Sequence, residues 1–228
     1  MNLIELSDYT VAHEGSGNGI KECNFSISRG EVCYISTDYS DDARLFLKAL
    51  TTLVHPLKGI YRYNNKQINF SDRYNILAYK KKIGYVGNDS AMLSNRTVRE
   101  NLLLTRNYFE DSMSIELDEN TMQLCETFNI LGRLDSRPAM LDHLELKIAV
   151  TIRELTKSPD ILIMEYPEDL MVKGHSVLLD YINKKFPAGF PAVFISNNRN
   201  IKKNISNKKI LIKNGRLSTE AASSLAVF

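Results

Sequence analysis

Cysteine is scarce in this sequence, no apolar run is long, and neither charge dominates. The 29 Lys and Arg against 27 Asp and Glu leave a formal charge of +2. So small an excess gives no support to nucleic-acid binding, which goes with a concentrated basic surface. No apolar run approaches the roughly 20 residues that a membrane-spanning helix needs. The longest, such as Ile161-Leu162-Ile163-Met164, have the length of a buried strand. The opening Met1-Asn2-Leu3-Ile4-Glu5-Leu6 has no basic segment and no long apolar one, so no secretory signal is expected. Cys23, Cys33 and Cys125 show no C-x-x-C spacing. This excludes a disulfide frame or a zinc site and leads us to expect reduced core thiols in a cytosolic compartment. What is present is ordinary for a folded domain: 228 residues, 43% hydrophobic and 25% charged, with no internal repeat and no low-complexity linker.

The first third reads as strands around one helix. Cys23 to Ser28 alternates with period two, Arg29-Gly30 turns, and Glu31 to Ser36 follows as a buried strand. Ser40-Asp41-Asp42 then precedes a helical apolar pattern at Leu45, Phe46, Leu47, Ala49, Leu50 and Leu53, with Ser40 as the expected N-cap. Ile60 to Phe70 predicts a hairpin turning at Asn64-Asn65, and Lys82 to Val86 a further strand. The middle reads as helical: a short helix from Thr97 to Leu104, a helix capped by Asp118 with Leu124, Cys125, Phe128 and Leu131 on one face, and a longer one through Leu141, Leu144, Ile148, Ile152 and Leu155. The last third alternates again. It predicts a strand at Ile161 to Met164, a helix at Ser176 to Phe186, a strand at Ala192 to Ile195, and a hairpin from Lys209 to Leu217 around Asn214-Gly215. The pattern is that of an α/β sheet with a helical insertion.

Four segments, in order and at similar distances, resemble the nucleotide-binding subunit of ABC transporters over nearly the whole chain. They are Phe25 to Glu31, the pair Ile83 to Val86 and Asn95 to Leu102, Ser158 to Met164, and Ile210 to Leu217. The resemblance implies a single domain over 1–228. Its fold would be a P-loop ATPase core of ABC type with an antiparallel β subdomain (1–87 and 156–228) and a helical subdomain (88–155).

At the positions that carry the chemistry, the residues differ from that pattern. A P-loop reads G-x-x-x-x-G-K-[ST], so that backbone N–H groups surround phosphates while Lys and hydroxyl reach phosphate and Mg²⁺. Here the place holds Thr37, Asp38, Tyr39, Ser40, Asp41, Asp42, Ala43 and Arg44. Thr37 and Asp42 replace the glycines, Ala43 the Lys, and Arg44 the Mg²⁺ ligand. A helix start attracts anions, and Asp41 and Asp42 read as carboxylates that the chain supplies to its own helix. Asp38, Asp41 and Asp42 would face a triphosphate. The Q-loop position holds Asn88, the signature reads Leu141, Asp142, His143, Leu144 and Glu145, and the Walker B aspartate position holds Glu165. Tyr166 stands for the catalytic glutamate and Asn197 for the switch histidine. His13 has a surface reading, His55 and His175 have helix-end readings, and Lys80-Lys81-Lys82 and Lys202-Lys203 read as solvated loop charges.

On these residues the chain is expected to be no enzyme and to take no cofactor, neither ATP nor Mg²⁺. It is expected to be a structural or regulatory subunit of a membrane transporter, a pseudo-ATPase, peripheral on the cytoplasmic face of the inner membrane. The resemblance implies as partners a transmembrane transporter subunit and either an active ABC ATPase homologue or a second copy. It also implies a docking segment at Asn88, Asn95, Arg96, Thr97, Val98 and Arg99. Two other readings stay open. One is a divergent ATP binder in which Glu165 holds a metal and Arg44 contacts a phosphate. The other is a free cytosolic interaction protein that reuses the fold.

Overall fold

Strands that read as continuous apolar runs must be buried on both faces, and strands that alternate need only one covered face. The computed structural model separates the two kinds into two sheets. It describes residues 1–13, 15–110, 116–172, 175–176, 178, 181 and 190–221. A four-stranded antiparallel sheet holds β1 (Asn2–Val11), β2 (Ile20–Ser28), β4 (Lys58–Tyr63) and β5 (Lys66–Gln67), in the order β2-β1-β4-β5. A six-stranded sheet holds β3 (Val32–Thr37), β6 (Ile83–Val86), β7 (Ile161–Glu165), β10 (Ala192–Ile195), β11 (Lys208–Lys213) and β12 (Arg216–Ala221). Its order is β12-β11-β3-β10-β7-β6, parallel except for the antiparallel edge β12. A short pair, β8 (Met171–Val172) and β9 (His175–Ser176), stands apart.

The period of two divides the large sheet's side chains between two cores. Ile161, Ile163, Val193 and Ile195 join β1, β2, β4 and helix α1 (Ser40–Leu50) in one apolar cluster. Leu162, Met164 and Phe194 point the other way, into a second cluster with α3 (Val98–Glu110), α4 (Glu119–Thr127) and α5 (His143–Thr156). Helix α1 is buried along most of its length, with Phe46 edge-on to Phe25 at 5.2 Å. Its last carbonyl at Leu50 accepts a 2.7 Å hydrogen bond from the Tyr61 hydroxyl. Cys23, Cys33 and Cys125 are free and buried, and burial pushes the Cys23 thiol up to about 12. The turns at Asn64-Asn65 and Asn214-Gly215 have positive φ, as the hairpin reading requires.

The expected fold class is the one observed, with local differences. Arg73–Lys82 is a helix, α2, that the periodicity did not predict. It buries only Ile76, so it carries no apolar stripe, and Asp72 caps it by accepting from the Tyr74 and Asn75 amides. Lys80, Lys81 and Lys82 therefore lie in the last turn of a helix instead of in a loop; cations suit that end of the dipole. Leu131 falls beyond α4, in a 3-10 turn, and is exposed. Of the helix expected over Ser176 to Phe186, most lies outside the described residues, and Ser176 itself ends β9. A final helix, α6 (Arg199–Ile205), precedes β11.

Candidate functional site

Parallel strands bring their C-terminal ends to one edge of a sheet, and loops from several strands meet there. β3 ends at Thr37 and leads into α1, β7 ends at Glu165, and β6 leads through Gly87 to Asn88. A cavity of about 290 Å³ opens between them, lined by Gly15, Asp41, Arg44, Lys48, Asn88, Asp89 and Glu165. The structure thus brings together residues from the three segments that sequence reading assigned to the P-loop, Q-loop and Walker B positions. It adds Gly15 and Lys48, to which that reading gave no role.

Glu165 is the hub. Its side chain is 3% exposed, and Arg44 Nε donates to its Oε2 at 3.2 Å. Tyr85 donates its hydroxyl to Oε1 at 2.9 Å. Burial, and then the neighbouring Glu165 charge, push the Tyr85 pKa well up, so the phenol stays a donor. Below the carboxylate, the buried Lys147 of α5 donates to the carbonyl oxygens of Glu165 and Tyr166, both at 3.0 Å. Tyr166 has φ +52°, and its amide donates to Ile195 at 2.8 Å, so the chain leaves β7 through a fixed bend. Asn197 is exposed, and its amide donates to the Glu168 carboxylate at 2.7 Å.

The loop before α1 differs from its sequence reading. The N-cap of α1 is Tyr39, and Ser40 is the first helical residue, so the expected Ser40 cap is not formed. The turn is held instead by Thr37, whose hydroxyl accepts from the Tyr39 amide and donates to the Tyr39 carbonyl. Ala43 is fully buried against the core. Asp38 is exposed. Asp41 and Asp42 turn away from the helix end toward residues 15–19. Asp41 Oδ2 accepts from the Ser16 amide at 3.0 Å and the Ser16 hydroxyl at 2.9 Å. Asp42, 1% exposed, accepts from the Asn18 and Gly19 amides at 2.7 and 2.9 Å. The Ser16 bonds hold the Asp41 carboxyl below its ordinary range. The composition Gly15-Ser16-Gly17-Asn18-Gly19 was the signal for this loop.

The other candidates lie outside the cavity lining. At 142–145, Asp142 and Glu145 form a reciprocal capping box on α5. The Glu145 amide donates to Asp142 at 2.7 Å, and the Asp142 amide donates to Glu145 at 3.0 Å. Arg133 adds an ion pair to Glu145 at 2.7 Å. His143 is exposed, and Leu141 and Leu144 are partly buried. At 95–99, Val98 is fully buried. Arg99 pairs with Asp135 at 2.9 Å, Arg96 with Glu100 at 3.0 Å, and Asn95 is exposed. Thr97 and Glu100 exchange side-chain bonds to each other's amides. Behind them the buried Asn101 amide group spans the loop, accepting from Leu93 at 2.7 Å and donating to the carbonyls of Leu93 and Thr97 at 3.1 and 2.9 Å.

The family resemblance read from the sequence implies a nucleotide with Mg²⁺ at this edge of the sheet. The donor set offers the cations Arg44 and Lys48 for phosphate oxygens, and the carboxylates of Glu165 and Asp41 as hard oxygen donors of the kind Mg²⁺ takes. Both oxygens of Glu165 are engaged, so a metal ion there has to take the place of Arg44. Among the described residues, no group of three or more His, Cys, Asp or Glu side chains is placed to hold a metal, and no helix is long and apolar enough to cross a membrane.

No family model matches the chain. Among known proteins it is 25% identical to methionine import ATP-binding protein MetN 2 of Oenococcus oeni, over all of this chain and 66% of that one. It is 21% identical to cell division ATP-binding protein FtsE of Streptococcus pneumoniae, over 95% of this chain and 94% of that one. The carnitine transport ATP-binding protein OpuCA of Listeria monocytogenes matches over 54% of its own length, so the chain spans about half to two thirds of MetN 2 and OpuCA. In structure it superposes on the dimeric ATP-binding cassette MJ0796 bound to ADP and Pi in a post-hydrolysis state, with TM-score 0.80 at 18% identity, over 99% of this chain and all of that one. It also superposes on cbiO1 of Clostridium perfringens, part of the transporter complex cbiONQ, with TM-score 0.72 at 18% identity, over 98% and 90%. These relatives overturn two expectations, that the chain is no enzyme and that it takes no cofactor. They are ATP-binding proteins, and MJ0796 was captured after hydrolysis. The expectation had judged each site position against the family's motifs and gave no role to Lys48, which the fold turns into the same cavity as Arg44. By its fold, and by similarity that runs its whole length, the chain resembles the ATP-binding subunits of ABC transporters.

Proposed function

We propose that this chain is an ABC-type ATP-binding subunit of a membrane transport assembly, peripheral on the cytoplasmic face of the membrane. The observation that carries the proposal is the joint one of full-length similarity to such subunits and a cavity at the C-terminal edge of the parallel sheet that holds Arg44 and Lys48. Nucleotide phosphates would be met by these two cations and by Asn88. Arg44 would exchange its Glu165 partner for phosphate, a trade between two charge-assisted bonds. Glu165 would be the oxygen donor for an accompanying metal ion.

The division into a core at 1–87 and 156–228 and a helical subdomain at 88–155 is part of this reading. So is docking of a membrane component on Asn88 and residues 95–99. Support for the second comes from the way Asn101, Thr97 and Glu100 hold the 93–97 loop rigid while Leu93 stays 50% exposed. A shaped loop with an apolar tip suits a protein partner. A second copy or a homologue would complete the assembly, as in the MJ0796 dimer.

Thermal denaturation with and without Mg-ATP tests the nucleotide part. Saturation at 100 times the dissociation constant stabilises by about 2.7 kcal/mol, a rise of several degrees. We expect that rise in the wild type and its loss in Arg44→Ala. An unchanged midpoint at millimolar Mg-ATP would reject nucleotide binding.

A further inference from the structure

Residues 15–19 carry donors that all aim at anions. Ser16 contributes its amide and hydroxyl, Asn18 its backbone and side-chain amides, and Gly19 its amide, all to the two carboxylates at the start of α1. Convergent backbone N–H groups make a concavity that binds anions, and phosphate loops work this way. Glycine is required for the same reason as in a phosphate loop, since the backbone must come close to the charge. A Cβ added at Gly15 would meet Asp41 Oδ2 at 2.6 Å, and one at Gly17 would meet Asp42 Oδ1 at 2.4 Å. Gly15 and Gly19 also have φ of +62° and +78°. The usual polarity of the site is thus reversed. The loop after β3 supplies acceptors, and the loop between β1 and β2 supplies donors.

This contact borders the cavity, because Gly15 and Asp41 line it beside Arg44 and Lys48. We propose that the Gly15–Gly19 loop is an anion-responsive latch over the nucleotide cavity, held shut by Asp41 and Asp42 and opened when the phosphates of a nucleotide compete for the same donors. The proposal rests on the nucleotide reading above and adds its regulation. Asp41 is half-buried and its bonds to Ser16 lie at the surface, screened by water, so this is the half that yields first. The half made by the buried Asp42 sets the closed state.

Two variants separate charge from closure. Asp41→Asn with Asp42→Asn removes both charges and keeps the shape. Gly17→Ala keeps every charge and puts a methyl where the Asp42 oxygen sits. Each is checked for a native circular dichroism spectrum, then titrated with ATP and with pyrophosphate by calorimetry beside the wild type. Amide hydrogen exchange is followed at residues 16–19. We expect the double variant to bind both ligands at least tenfold more tightly, Gly17→Ala to gain less, and exchange at 16–19 to quicken in both. Equal affinity in all three proteins overturns the latch and leaves nucleotide binding standing. Binding by the variants alone means that phosphates cannot open the loop in the wild type, and overturns both the latch and nucleotide binding by the wild type. Binding by none overturns both. If the double variant does not fold, Gly17→Ala decides alone, with unchanged affinity and exchange as the overturning result.

Discussion

A buried carboxylate needs partners, and Glu165 has Arg44 and Tyr85 for its oxygens. Replacing Arg44 by Ala leaves the acid with the tyrosine alone. A fully buried pair broken in this way costs about 3–5 kcal/mol, but the Arg44 side chain is 41% exposed and water reaches the site, so we expect roughly 1–2 kcal/mol. Urea denaturation measures it, and no change in midpoint would show that the pair contributes nothing. Asn101 is a second residue whose role the fold reveals. Its amide is fully buried and joins the start of α3 to the loop at Leu93. Asn101→Ala leaves those backbone groups without it and should cost about 1–3 kcal/mol, with amide exchange at Leu93 rising first. From sequence, Arg44 was visible as a cation at an unusual position, but its partner lies 121 residues away. Asn101 lay within the segment that carried the family resemblance, yet nothing in the sequence showed that it braces a loop.

At the scale of elements, α5 begins where the family signature was sought. The Asp142-x-x-Glu145 spacing is a capping box, and it was legible as one, since an acid three residues ahead of a Glu before an apolar run marks a helix start. Asp142→Ala should destabilise by about 1 kcal/mol. Glu145 is held below its ordinary carboxylate value of 4.5, first by the Asp142 amide and then by Arg133. A depressed acid stabilises the fold above its unfolded pKa, and that stability is lost as pH falls through the folded value. The cap should therefore weaken only below about pH 4.5. Exchange of the first α5 amides, followed from pH 6 to 3, checks the sign; loosening that begins near neutrality would contradict it. Helix α2 was missed because it has no apolar period to read. Its start was signalled only by Asp72, and a lone cap residue is also what a turn displays.

For the whole molecule, the prediction concerns company. Purified under mild solubilisation from native membranes, the chain should bring a membrane-spanning protein with it. Replacing exposed Leu93 by Asp should abolish that recovery without lowering stability by more than about 0.5 kcal/mol, since exposed substitutions cost little. Recovery of the chain alone from the wild type would reject membership in a transport assembly.

The sequence by itself determined the element types and their order wherever an apolar period was strong, as at β7, β10, α1 and α5. It determined the turns where Asn and Gly sit, because positive φ is costly for other residues. Through four segments in register, it also determined the kind of fold. Tertiary structure decided which residues share the cavity. Asp41 and Asp42 looked like helix-end acids, because a local reading can only weigh the dipole a few residues away. Their donors come from 23 to 25 residues earlier in the chain, brought there by the packing of the antiparallel sheet against α1. Nothing local in the sequence marks the partners of Lys147 and Tyr85; only the parallel register of β6 with β7, and the seat of α5 beneath them, gives them Glu165 and its neighbours.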